Sequence, residues 1–357
     1  MRYILCFLFV FILSCTSDVK KERAAISEVV SHTIYADSSS IRAIEVMEDA
    51  IAFAGSNGVY GYYKLNSKDA LSYPQVIEKN AGTIDFLGKN PAFRSIASTS
   101  KYIFILSIAQ PALLYRINKT DYNTKLVYIE DVESVFYDSM TFWNDLEGIA
   151  MGDPVDGCLS VIITRDGGTS WQKVSCNDLP KTAEGEAAFA ASDTNIGIQG
   201  DNTWIITGGK KSNVLYSPDK GLTWSKYSTP LVQGSETTGG YSLDFYDTTT
   251  GIVYGGDYLK PADNKGNIAI TKDGGKHWDL IAKGINQGYK SCVQFVPNSN
   301  GQELIALGFS GISYSRDEGA HRQEISKEAY LSFRFINDSI AFASGRNKVD
   351  RLLFKRD

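Results

Sequence analysis

The chain has 357 residues, 43% of them hydrophobic, with 36 lysines and arginines set against 41 acidic residues for a formal net charge of −5. Acids and bases are interspersed, which excludes the clustered basic groove of a nucleic-acid-binding protein. The three histidines (His32, His277, His321) and five cysteines form no group with zinc-ligand spacing, so no metal centre and no cofactor is expected.

The first residues address the compartment. Met1-Arg2 is followed by an almost wholly apolar stretch, Tyr3 to Leu13, and then by Ser14-Cys15. A charged start, a short apolar run and a small residue before the cut make a secretory signal, too short for a permanent span of about 20 residues. Ile12-Leu13-Ser14-Cys15 resembles a bacterial lipobox, in which the cysteine is acylated. Leu13 departs from the strictest form, which leaves a plain signal peptide as the alternative. The expected organisation is a signal over 1–14, a polar tether over 15–28 leading from a lipidated Cys15, and one folded domain over 29–357. The protein is thus expected outside the cytoplasm, held to a membrane by acyl chains on its periplasmic or outer side.

Further along, one phrase recurs: an apolar strand, an Asp or Asn turn, and a second strand ending in Gly. It reads Arg42–Met47, Glu48-Asp49, Ala50–Gly55, and again Ser242–Tyr246, Asp247 to Gly251, Ile252–Gly256, and Phe333–Ile336, Asn337-Asp338, Ser339–Gly345. Starts near residues 41, 93, 136, 187, 242, 291 and 332 count seven units of about four short strands each. Four-stranded units arranged radially make a β-propeller, so the expected fold is all-β with seven blades. The last unit is short. Val29–Ala36 can supply its missing outer strand from the N-terminal side and so remove a free sheet edge.

Within these units a second motif repeats. Thr164 to Trp171 carries Asp166, Gly168 and Trp171; Ser217 to Trp224 carries Asp219, Gly221 and Trp224; Thr271 to Trp278 carries Asp273, Gly275 and Trp278. Ser315 to Arg322 keeps Asp317 and Gly319 but lacks the Trp. Asp-x-Gly between strands is hairpin chemistry: the carboxylate accepts backbone N–H bonds and Gly accepts a positive φ. These aspartates are therefore read as structural rather than catalytic. Cys158 and Cys176 are equally spaced about Gly167 at the tip of the first such hairpin. They should face one another across two strands, a candidate disulfide in an oxidising compartment. Cys292 is left over as a small buried hydrophobe.

Blades of this phrasing resemble the sialidase-type Asp-box propellers, and among them the photosystem II stability/assembly-factor family and its non-photosynthetic bacterial relatives. The matching residues are Ser40–Ile44, Phe93–Ile96, Gly152–Gly157, Glu184–Ser192 and Gly255–Pro261. The resemblance implies a propeller that acts by binding a protein partner. Some bacterial relatives are labelled oxidoreductases, but no Gly-x-Gly-x-x-Gly opens a helix here and no Cys-x-x-Cys occurs.

In a propeller the innermost strands line a channel whose mouth is where ligands meet the protein. The starts of these strands carry Arg42, Arg94, Asp138, Glu186, Tyr241, Lys290 and Arg334. Arginine planes suit carboxylates and phosphates, so Arg42, Arg94, Glu186, Lys290 and Arg334 are the expected binding set. The competing account is a self-neutralising salt-bridge ring. The expected function is a non-catalytic binding or assembly scaffold of the bacterial cell envelope, monomeric, taking an envelope protein or an anionic or glycan ligand. The alternative is a sialidase-like glycosidase with Tyr241 and Glu186 as nucleophile pair and Asp138 as acid/base. Phe93-Arg94-Ser95-Ile96 only partly matches that family's Phe-Arg-Ile-Pro signature. Asp153 and Asp156 in their Pro-containing loop are read as solvated rather than as calcium ligands.

Overall fold

The computed structural model describes residues 23–66 and 74–357. Cys15, the signal segment and most of the tether lie outside the described residues. Among the described residues every regular element is a β-strand, and no helix is long and apolar enough to cross a membrane. Ala50–Gly55 and Cys158–Thr164 are buried at every position. A sheet with one wet face would alternate along its strands, so continuous burial means that neighbouring sheets cover both faces. Alternate residues feed the two interfaces. Ala150 and Ile162 pack on Phe104 and Leu106, whereas Ile149 and Val161 pack on Ile205 and Leu215.

The sheets are antiparallel and radially packed, a β-propeller, but the expected count of seven blades is corrected to six. Hydrogen bonding defines four sheets of four strands and two of six. The cause lies in the first strand, Ile26–Val46. Its early part pairs with Ile340–Arg356, Val29 opposite Phe354 and Ser40 opposite Arg346. Its end pairs with Ala50–Gly55, Ile41 opposite Gly55. One uninterrupted strand thus fuses the two chain ends into a single six-stranded sheet, where the sequence pattern separates a first unit from a last. The other six-stranded sheet gains the two-residue strands Glu186–Ala187 and Gly208–Gly209, the latter bonded to Thr238–Phe245.

The four Asp turns share one bonding pattern. In the first, Thr164 Oγ1 donates to Asp166 Oδ1 at 2.9 Å, and Oδ1 also accepts from the Thr169 and Ser170 amides. Gly168 N closes the loop onto Thr164 Oγ1 at 2.9 Å. Asp219, Asp273 and Asp317 repeat the arrangement with Ser217, Thr271 and Ser315. Burial raises Asp273, but the His277 amide and ring and the Thr271 hydroxyl outweigh it and hold the carboxyl at about 2. Gly168 adopts φ 72°, and a Cβ there would lie 2.2 Å from the Phe104 ring of the neighbouring sheet. Both facts demand glycine. Trp171 stands edge-on to Phe142 at 5.7 Å. In the fourth turn Arg322 takes the Trp position and lies 5.2 Å over the Tyr254 ring. A disulfide joins Cys158 to Cys176, and Cys292 is buried and free.

The channel is closed by its own chain. Ser192, Asp193 and Thr194 are buried and bond to inner strands all around the axis. Asp193 accepts the Ile96 amide at 2.8 Å and the Met140 amide at 3.0 Å. Thr194 Oγ1 donates to Ser242 Oγ at 2.8 Å, and Ser192 Oγ to Ser291 O at 2.6 Å. Ser332 Oγ and Arg334 Nη2 return bonds to Ser192 O and Asp193 O, each at 2.7 Å. The propeller therefore has a plugged axis, and its mouth is a basin rather than a pore.

Candidate functional site

Arg42 and Arg94 stand at the starts of adjacent inner strands, Arg42 at the end of Ile26–Val46 that meets Ala50–Gly55 and Arg94 in Phe93–Ser98. Both are half-buried, and neither forms a hydrogen bond or ion pair among the described residues. Burial, then repulsion from Arg94, lowers Arg42 to about 10. Burial also lowers Arg94, with Asp138 opposing. Exposed Arg346 adds a third positive charge beside Arg42.

Asp138 does not neutralise this pair. It is 0% exposed and neither carboxyl oxygen has a hydrogen-bond partner. Burial, reinforced by Asp153, raises it well above the usual carboxyl range, with Arg94 opposing. Asp153 accepts the Ala188 amide at 2.7 Å and is itself raised by burial. Asp138 thus offsets part of the burial of Arg94 but forms no ion pair with either arginine among the described residues.

The opposite half of the mouth is aromatic. Phe189 stacks on Tyr241 at 3.9 Å, and Tyr289 meets Tyr241 edge-on at 4.8 Å. Phe309 stacks on Tyr289 at 5.2 Å and Tyr258 stands 6.4 Å from Tyr241. Tyr258 and Phe309 are 43% and 44% exposed, so the wall reaches solvent. Burial raises Tyr289, and the nearby Arg42 charge partly offsets it, which links the two halves.

The remaining sequence-derived residues go elsewhere. Glu186 is buried and accepts from Thr207 Oγ1 at 2.7 Å, Asn213 Nδ2 at 2.9 Å and the Ala183 amide at 2.8 Å. Tyr241 donates its hydroxyl to Thr237 O at 2.8 Å, so it is not coupled to Glu186. Lys290 is enclosed in its own sheet and donates to Gly311 O at 2.9 Å; burial and the Arg322 charge lower it to about 8. Arg334 lies at the plug, near three carboxyls that the inner-strand starts do not reveal, buried Asp193 and half-buried Glu45 and Asp244. Among the described residues no three His, Cys, Asp or Glu side chains are grouped to hold a metal ion. The wall residues Phe189, Tyr289 and Phe309 carry no local signal. They meet only because separate blades deliver them to one rim.

No protein-family model and no curated protein sequence matches the chain. Among solved structures it is similar to one described as YCF48 bound to D1 peptide, with a TM-score of 0.65 and 10% identity, covering 93% of this chain and 98% of that one. YCF48 from Cyanidioschyzon merolae matches with a TM-score of 0.60 and 13% identity over 92% of this chain and 98% of its own. The WD40 repeats of RRP9 match with a TM-score of 0.59 and 12% identity over 94% and 99%. At such identities the shared property is the propeller fold.

Proposed function

We propose that this protein is a non-catalytic binding or assembly scaffold of the bacterial cell envelope, anchored through acylated Cys15, which captures a protein segment at the mouth of its propeller. The observation that carries the reading is the pair Arg42 and Arg94, two half-buried guanidinium groups without a hydrogen bond or ion pair among the described residues, facing an aromatic wall. Burying a charge without compensation is unfavourable, and Arg94 and Arg42 also repel one another, so an incoming carboxylate gains more here than at an exposed arginine. The wall would take the apolar part of the same segment, with tyrosines offering large contact area and polar tips. A YCF48 structure is described as holding a D1 peptide, which supports a peptide-capturing mode for a propeller of this shape.

The test is a cross-linked pull-down from native envelopes with the wild type and the Arg42→Ala/Arg94→Ala double variant. A partner enriched by the wild type alone supports the mouth as the binding surface. Equal recovery by both sinks this placement.

A further inference from the structure

Beside the mouth lies a second concavity. Thr238 opposes Asp257 in the ladder, so the segment entering Thr238–Phe245 and the loop leaving Gly251–Asp257 emerge at the end where the inner strands begin. Together they enclose a cavity of about 430 Å³ lined by Gln233, Thr238, Asp257, Asp263 and Asn267, among others. This is within the range of about 300–1,000 Å³ typical of ligand pockets. Tyr258, next to Asp257, belongs to the aromatic wall, so mouth and cavity share one rim.

The base of the cavity is rich in acceptors. Asn267 is 1% exposed; its Nδ2 donates to Asp263 O at 3.0 Å, which fixes the carboxamide orientation and leaves Oδ1 buried without a partner. Asp257 is 8% exposed. Its Oδ1 accepts from Thr237 Oγ1 at 2.8 Å and the Leu259 amide at 3.0 Å, and no ion pair balances its charge among the described residues. The donors nearby are committed: Gln233 Nε2 to Thr229 O and Leu231 O, Thr238 Oγ1 to Ser235 O and Gly209 O. A sugar hydroxyl brings an acceptor as well as a donor, and Gln233 and Thr238 have no donor left for it. A guanidinium or ammonium brings donors alone and meets Asp257, Asp263 and Asn267 Oδ1 without needing one. Lys260 and Lys265 stand exposed at the rim on long stems and are free to turn away from an incoming cation.

We infer that this cavity is a second recognition subsite, which takes the cationic end of a basic side chain from the segment captured at Arg42 and Arg94. The inference rests on the reading above in treating the ligand as a protein segment. It makes the site bipolar, with a carboxylate held at the arginines, apolar groups on the wall and a base in the cavity.

The test uses isotope-labelled folded protein titrated with N-acetyl-arginine methylamide and with its uncharged isostere, N-acetyl-citrulline methylamide, followed by NMR. The arginine probe should shift the Asn267 side-chain amide and the Leu259 backbone amide, and citrulline should bind at least tenfold more weakly. Asp257→Asn should weaken the arginine probe at least fivefold. Asp263→Asn, at an exposed position, should weaken it as well and serves if Asp257→Asn does not fold. Arg42→Ala/Arg94→Ala should leave this binding unchanged, so failure at the cavity is distinguishable from failure at the mouth. Equal affinity for the two probes, absence of shifts around the cavity, or shifts with methyl glucoside and none with arginine would each overturn the proposal.

Discussion

Arg334 donates through Nη2 to the carbonyl oxygen of Asp193 at 2.7 Å, fastening the innermost strand Ser332–Phe335 to the segment that plugs the channel. Asp193, whose backbone takes a left-handed φ of 58°, then passes the load to two further strands through the Ile96 and Met140 amides. Removing the Asp193 side chain leaves two buried N–H groups without acceptors. Asp193→Ala should therefore cost about 2–6 kcal/mol in urea unfolding, at about 1–3 kcal/mol for each orphaned group. A loss below the precision of the measurement would show that the plug is not structural.

The same residue should make stability pH-dependent. Burial, opposed by Arg334 and the two amides, raises Asp193 to about 8, against about 3.9 in an unfolded chain. The folded form thus keeps a proton that the unfolded form has released. Its stabilising share is full below about pH 4 and is lost as pH rises through about 8. Asp244, raised to about 6 by burial, acts in the same direction. Urea midpoints should fall between pH 5 and pH 8.5, and Asp193→Asn should flatten the slope. An unchanged slope in the variant would assign the effect to other groups.

At the mouth, binding and stability should separate. Arg42 and Arg94 have no hydrogen bond or ion pair to lose among the described residues and their charges repel, so the double alanine variant should unfold at an equal or higher urea concentration than the wild type. Lost recovery of a partner together with an unchanged midpoint marks these as binding residues. A clear drop in stability would favour a structural role.

Gly168→Ala tests the Asp turn. Its φ of 72° and the Phe104 ring 2.2 Å from the added Cβ act together. The substitution should cost roughly 2–4 kcal/mol from backbone strain and overpacking. Phe104→Leu in the same chain should recover part of that loss if the clash contributes.

The disulfide closes a loop with a sequence separation of 18. Cys158→Ser/Cys176→Ser should lower stability by about 3 kcal/mol on the chain-entropy account. A reducing agent should lower the wild type by a similar amount and leave the double variant unaffected.

Local patterns were legible in the chain because each depends on residues close together in sequence. Asp166, Gly168 and Trp171 make their turn within eight residues, and the repeated phrase makes the short strands of a propeller. The pairing of Val29–Ala36 with the last unit was legible too, but its continuation into the first unit as one sheet was not. It depends on Ile26–Val46 continuing without a break from one partner strand to another, and no residue between Ala36 and Ser40 announces that continuity.

The sequence by itself determined the all-β repeat, the Asp turns and the placing of Arg42 and Arg94 at inner-strand starts, because strand period and turn chemistry are short-range. Only the tertiary structure decided that Glu186 and Lys290 turn into their own sheets and that Ser192–Thr194 cross the axis. It also decided that Phe189, Tyr241, Tyr289 and Phe309 share one wall. The physical reason is that a one-residue change of register turns a side chain to the other face, and which face is buried depends on blades distant in the chain.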